Sequence, residues 1–171
     1  IGPIVVYDDE QGYLAGVIAD HLSFDEHEVI FITPASVVSP WTESTLEQKR
    51  IQKALLVSGV NVICNKTIDK AEGSNLNLKC VFTGEISLLK CSSLVMVTER
   101  IPNTKRYDQL VEQENNTEQG EAKHIQLIGD AESPGLIADA VFLGHLAAQS
   151  FEEPEQEIQK AMFMREMPSL K

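Results

Sequence analysis

The sequence has little positive charge and no long hydrophobic run, and both absences exclude classes of partner. Its 171 residues include 14 lysines and arginines against 26 aspartates and glutamates, which gives a net charge of −12. A chain this acidic repels nucleic acid and anionic membranes. No apolar run reaches the ~18 residues that a membrane-spanning helix needs, and we recognise no secretory leader. We therefore expect a cytoplasmic protein that binds neither nucleic acid nor membrane.

Cysteine is scarce, and its spacing excludes the common cysteine-based sites. The three cysteines, Cys64, Cys80 and Cys91, are far apart, and no C-x-x-C pair occurs. The sequence therefore encodes neither a zinc ribbon nor an iron–sulfur loop. We expect three buried free thiols and no metal ligands among them.

Hydrophobic residues make up 43% of the chain, enough for a folded core. Apolar runs predict strands at 4–7, 28–33 and 60–64, and helical spacing predicts helices at 13–23 and 43–58 between them. This alternation is typical of a right-handed βαβαβ unit with a parallel sheet. Short alternating runs at 67–72, 76–82 and 85–90 predict an antiparallel meander. A strand at 94–98, a helix at 107–114, a strand at 125–128 and a helix at 134–149 complete the prediction.

Glycine is missing where a dinucleotide-binding fold needs it. In "VVYDDEQGYLAGVIADHL", residues 5–22, the turn after the first strand carries three acids, Asp8 to Glu10, and its glycines, Gly12 and Gly16, do not match G-x-G-x-x-G. Carboxylates there would repel a pyrophosphate. The second strand ends at Thr33 rather than at an acid that could hold a ribose. We interpret this turn as one that keeps the fold and has lost nucleotide binding; a metal site on the three acids is the alternative.

A second turn, in "IQLIGDAESPGLIADAVFLGHLAAQ", offers a different site. A strand leads into Gly129-Asp130, and a helix follows from about Pro134. Gly129 permits close approach of a ligand, and Asp130 can accept a hydrogen bond from a ribose or ribitol hydroxyl. Free amides at the helix start, around Gly135 and Leu136, can face a phosphate or a flavin edge. We therefore predict a cofactor-binding role for these four residues; an ordinary strand-to-helix connection is the alternative.

Together with "TPASVVSPWTESTLEQ" and "LVMVTERIPN", these stretches resemble the trimethylamine dehydrogenase family of the NADH:flavin oxidoreductase group, in its C-terminal region. The resemblance runs from about Ile4 to Phe151. It implies that residues 1–98 form an NAD-like Rossmann domain with a degenerate glycine turn. Residues 99–151 would be the second half of an FAD- or ADP-binding-like domain, and 152–171 an acidic, then Met-rich tail. "TERIPN" occupies the place of a "TGRxPN" stretch seen in disulfide-reductase-like flavoproteins. Glu99 replaces the glycine of that stretch, which weakens any cofactor role for Arg100.

The resemblance also implies parts that this sequence lacks. Family members carry an FMN-binding (β/α)₈ barrel, a [4Fe–4S] cluster and the first half of the FAD-like domain. We therefore expect this chain to be one piece of a larger flavoprotein, either a subunit in a hetero-oligomer or a fragment of a longer polypeptide. A larger chain would be its partner, with an electron-transfer flavoprotein as a further one. ADP or FAD would occupy the shared nucleotide site, and no catalytic residue would lie in this chain. A non-catalytic Rossmann-like interaction module is the alternative.

Overall fold

The computed structural model describes residues 2–115 and 125–151. Its contacts divide the chain into two compact units, the first ending at Glu99 and the second beginning at Arg100. The predicted tail at 152–171 lies outside the described ranges. Within those ranges, no helix is both long and apolar enough to cross a lipid bilayer.

The first unit alternates strands and helices and then forms a run of strands. Its elements are β1 (Ile4–Asp8), α1 (Leu14–Phe24), β2 (Val29–Ile32), a 3₁₀ helix (Pro40–Glu43), α2 (Gln48–Val57), β3 (Asn61–Ile63), β4 (Lys66–Glu72), β5 (Asn75–Cys80), β6 (Ile86–Lys90) and β7 (Ser93–Val97). A parallel sheet has the order β3-β2-β1-β7, and an antiparallel sheet has the order β4-β5-β6. The predicted parallel sheet and antiparallel meander are both confirmed.

The parallel sheet is covered on both faces, because successive residues of β1 point in opposite directions. Val6 packs in the cluster that includes Ala15 and Leu55 of the two helices. Val5 packs on the other face with residues of the meander, including Leu76. The unit therefore has three layers: two helices, the parallel sheet and the meander. The carboxyl ends of its strands, where ligands of such folds bind, carry the acidic turn.

The second predicted helix begins five residues later than the sequence suggested. Glu43 ends a 3₁₀ helix, and Leu46 has a φ of +62°, in the left-handed region. A right-handed helix cannot pass through a residue in that conformation. Helix α2 therefore begins only at Gln48.

The second unit contains α3 (Lys105–Asn115), a 3₁₀ helix (Gly129–Ala131) and α4 (Ile137–Gln149). The prediction of a strand at 125–128 is wrong. Ile128 is extended, with φ −142° and ψ 159°, but no strand pairs with this segment among the described residues. Helix α4 begins at Ile137 rather than at Pro134, because Leu136 is also extended. No described side chain of this unit is buried.

Candidate functional site

The first turn is organised around a buried acid, Asp8, at the end of β1. Its side chain is 0% exposed. Carboxylate Oδ1 accepts a hydrogen bond from the Gln11 N–H at 2.8 Å, whereas Oδ2 has no hydrogen-bond partner within the described part of the chain. Burial raises the pKa of Asp8 to about 6, the Gln11 N–H lowers it, and the Glu10 and Asp9 carboxylates raise it further. This acid is therefore poorly compensated when ionised.

The rest of the turn is held by backbone hydrogen bonds on both sides. The N–H groups of Asp9 and Glu10 donate to the Val97 carbonyl of β7 at 2.8 and 3.2 Å. The Gln11 carbonyl accepts from the Trp41 N–H at 3.2 Å, so the 3₁₀ helix lies against the turn. Helix α1 has no capping side chain and no acid in its first turn. Helix α1 therefore begins without a side-chain cap and without a first-turn acid to complement its dipole.

The residues of this turn do not fit a dinucleotide. A pyrophosphate requires close, unopposed backbone amides, yet the desolvated Asp8 carboxyl lies at the end of the strand that would face it. Thr33, which ends β2, is buried, and its hydroxyl accepts from the Ala35 N–H at 3.2 Å. No group of three His, Cys, Asp or Glu side chains is arranged to hold a metal within residues 2–115 and 125–151.

The second turn brings the four predicted cofactor-binding residues together. Gly129 has a φ of +59°, and its carbonyl accepts from the N–H groups of Glu132 and Ser133, both at 3.0 Å. A side chain there would be strained, which explains the glycine. Asp130 is exposed, and its Oδ1 accepts from the Gly135 N–H at 3.3 Å. Residues 129–135 thus form a closed loop before α4.

The amides at the start of α4 already have partners in the chain. The Gly135 N–H donates to Asp130, and the Leu136 N–H donates to Asp139 Oδ2 at 2.7 Å. Any phosphate or flavin edge bound there would have to replace these two carboxylates. The binding role of the four residues stays a prediction. Asp130 is the member best suited to bind a ligand, because its exposed carboxylate can accept a hydrogen bond from a ligand hydroxyl.

Sequence reasoning missed two residues of this turn. Asp139 occupies the third position of α4, where an acid accepts a hydrogen bond from the amide of the residue before the helix, and the spacing from Leu136 could have indicated it. Arg100 donates from Nη1 to the Gly135 carbonyl at 3.3 Å. The role of Arg100 visible here is to hold the backbone of the loop.

An open groove of about 380 Å³ lies between α1 and α2 of the first unit, and its lining includes Tyr13, Val17, Arg50 and Ile51. Tyr13, in the lining of the groove, is 44% exposed, and Trp41 of the 3₁₀ helix is 70% exposed. Arg50 is paired with Glu47 at 2.9 Å. The groove is shallow and carries no buried titratable group, so its chemistry is that of a contact surface rather than of an active site.

The three cysteines are free thiols, as predicted, but of the three only Cys91 is buried, whereas Cys64 and Cys80 are partly exposed. The pKa of Cys80 is lowered to about 7, chiefly by hydrogen bonds from the Thr83 hydroxyl and N–H and the Phe82 N–H. Burial raises the pKa of Cys64 and of Cys91. Cys80, at the end of β5, is therefore the thiol with the greatest thiolate character.

No protein-family model matches the chain. It is 25% identical over 175 residues to dimethylamine dehydrogenase from Hyphomicrobium sp. (strain x), covering 92% of this chain and 24% of that protein. The structure of histamine dehydrogenase from Rhizobium sp. 4-9 matches with a TM-score of 0.83 and 31% identity, covering 90% of this chain and 24% of that one. The structure of 6-hydroxypseudooxynicotine amine oxidase from Pseudomonas geniculata N1 matches with a TM-score of 0.80 and 27% identity, covering 88% of this chain and 22% of that one. The chain spans about a quarter of the length of these relatives.

A likeness of fold alone extends to T. acidophilum thioredoxin reductase, with a TM-score of 0.60, 17% identity and coverage of 94% of this chain and 53% of that one. The mixed parallel and antiparallel architecture of this chain is therefore shared with a reductase of quite different sequence.

Proposed function

We propose, from its confirmed resemblance to the trimethylamine dehydrogenase-like family, that this chain is the nucleotide-binding-like region of an iron–sulfur flavoprotein oxidoreductase. The observation that carries the proposal is the match to histamine dehydrogenase, which covers 90% of the chain at a TM-score of 0.83. In the complete protein, electrons would pass from FMN through a [4Fe–4S] cluster to an external carrier, such as an electron-transfer flavoprotein. These centres and the substrate pocket would lie outside this chain.

The first unit would serve as a scaffold rather than as a nicotinamide site. Its turn places the buried, partly uncompensated Asp8 where a pyrophosphate would need amide donors. We therefore expect no catalytic residue and no metal ligand in this chain.

The second unit would hold ADP or FAD through the turn that contains Gly129, Asp130, Gly135 and Leu136. Asp130 would accept a hydrogen bond from a ribose or ribitol hydroxyl, which suits its exposed carboxylate. Gly129 would let the ligand approach the backbone. The Gly135 and Leu136 amides would reach a phosphate or flavin edge only after Asp130 and Asp139 release them.

The partner would be a larger polypeptide region that carries the (β/α)₈ barrel, the cluster and the first half of the FAD-like domain. The second unit supports this proposal because it encloses no described side chain. Helix α4 exposes Ile137, Val141 and Phe142, at 86%, 53% and 60%. The extended segment that ends at Ile128 has polar backbone groups without a strand partner among the described residues. A neighbouring sheet would satisfy both needs.

The test is to purify the native protein, measure its mass and absorbance, and identify the nucleotides released on denaturation. We expect flavin and iron–sulfur absorption from a species larger than this chain, together with one adenine nucleotide. Asp130→Asn should lower the adenine nucleotide content and leave the FMN content unchanged. Glu132→Gln, an exposed change in the same turn, is the matched control and should lower neither.

The alternative is a non-catalytic interaction module, which the exposed Trp41 and the groove between α1 and α2 favour. A stable, colourless species of this chain's own mass, with no adenine nucleotide, would support that alternative and contradict the flavoprotein proposal.

A further inference from the structure

The Asp8 carboxyl is surrounded by groups that disfavour its charge. It is fully buried, and the charged groups nearest in its own turn, Asp9 and Glu10, are also acids. Strand β7 lies on one side of β1, with Val97 opposite Asp8. On the other side, β2 is followed by the uncharged Thr33. The first turn of α1 contains no acid. The charged residue of the 3₁₀ helix, Glu43, is acidic as well. Among the described residues of these elements, the one basic side chain is His21, in the last turn of α1, where it lies 3.9 Å from Asp25.

Two hydrogen bonds connect this carboxyl, through Gln11, to the exposed Trp41. The carboxyl holds the Gln11 N–H, and the Gln11 carbonyl holds the Trp41 N–H. Gln11 has a φ of +62° and Ser39, just before the 3₁₀ helix, has a φ of +49°, so both adopt a conformation that residues other than glycine avoid. The Ser39 Oγ is buried without a hydrogen-bond partner among the described residues. The turn at 8–12 and the segment at 39–43 are therefore joined by the hydrogen bond between Gln11 and Trp41, and each contains a residue in a strained conformation.

We propose that Asp8 is a proton-operated latch, closed when its carboxyl is protonated and loosened when the proton leaves, so that the 8–12 turn and the 39–43 segment open together. The inference does not rest on the proposed nucleotide site. In the open form water reaches the carboxylate, and the pKa of Asp8 returns from about 6 toward its ordinary value of 3.8.

The direction and size of the effect follow from this difference in pKa. A group whose pKa is raised in the closed form stabilises that form below its ordinary pKa and ceases to do so as the pH rises through the raised value. The opening constant should therefore climb between about pH 4 and pH 6 and level off above it. Between pH 5 and pH 8 the increase amounts to roughly tenfold.

Hydrogen exchange in the full protein tests the latch through the amides of Gln11 and Trp41. After correction for the intrinsic pH dependence of exchange, their opening constant should rise about tenfold from pH 5 to pH 8. Asp8→Asn should give a flat profile, and Asp8→Ala, a second variant without the carboxyl, should do the same. Asp9→Asn, which removes an equal charge from an exposed neighbour, should keep the rise. The Phe31 amide in β2 reports global unfolding, which also exposes Asp8, so its opening constant should rise with pH as well but stay well below those of Gln11 and Trp41 at every pH.

Three results would overturn the proposal. One is an opening constant in the unaltered protein that is flat or falls as the pH rises. Another is a rise that persists in both Asp8 variants. The third is an opening constant at Phe31 equal to those of Gln11 and Trp41, which would mean that the whole unit, and not the turn alone, opens.

Discussion

Replacement of Asp8 by asparagine should make the protein more stable relative to the unaltered chain as the pH increases. The amide keeps an oxygen that can accept the Gln11 N–H, which lies 2.8 Å from Oδ1, and it cannot ionise. The unaltered carboxyl must lose a proton while fully buried. Its raised pKa means that protonated Asp8 favours the folded state below pH 3.8, and that this advantage disappears as the pH rises to about 6.

The magnitude follows from the two pKa values. A shift from 3.8 to about 6 corresponds to about 3 kcal/mol of unfolding free energy at neutral pH, at 1.36 kcal/mol per unit. Roughly half of this develops between pH 5 and pH 8. The remaining difference between an amide and a protonated carboxyl does not depend on pH, so the slope isolates the ionisation of Asp8.

Urea unfolding at several pH values between 5 and 8 would measure this slope, with Asp9→Asn as the variant of equal charge. The free energy of unfolding of Asp8→Asn minus that of the unaltered protein should grow by about 1 kcal/mol across the range. The same difference for Asp9→Asn should change much less, because Asp9 is exposed. A constant difference for Asp8→Asn, or one that shrinks with pH, would refute the argument that burial dominates.

Two further predictions concern a thiol and a close helix contact. Cys80, whose pKa is lowered to about 7, should react with iodoacetamide at pH 7 before Cys64 does, and mass spectrometry that finds Cys64 modified first would contradict this. Gly16→Ala should lower the free energy of unfolding by about 1–3 kcal/mol, because its new methyl group would lie 2.7 Å from Ile51 Cγ2. Ile51→Ala should relieve that cost in the double variant, whereas Gly144→Ala, which meets no atom within 4 Å, should cost nothing; equal costs at the two glycines would rule out the contact.

The sequence was sufficient to predict the elements whose periodicity is local. The continuous apolar run of β1 and the spacing of small and apolar residues in α1 are each contained in a few consecutive positions. The meander was predictable for the same reason, since its turns carry Gly73 and Gly84, both with positive φ. Covering both faces of the sheet then followed from the composition of its strands.

Features set by distant contacts were not predictable. Nothing in the letters near Leu46 indicates a left-handed backbone, so the start of α2 was placed too early. The segment before Gly129 has the composition of a strand, but a strand requires a partner, and none lies in the described part of this unit. The candidate site was predictable as far as Gly129 and Asp130. The hydrogen bond from Leu136 to Asp139 depends on an extended residue before α4.

The position of β1 in its sheet has a consequence for biosynthesis. The first strand of the unit along the chain becomes an inner strand, and one of its two neighbours is β7, with Ile4 opposite Ser93. The chain between β1 and β7 must close into a loop before these two strands can pair. The parallel sheet therefore cannot be completed stepwise while the unit leaves the ribosome. A polypeptide released before Val97 would leave one side of β1 without its partner, and an unpaired apolar edge of this kind recruits other chains.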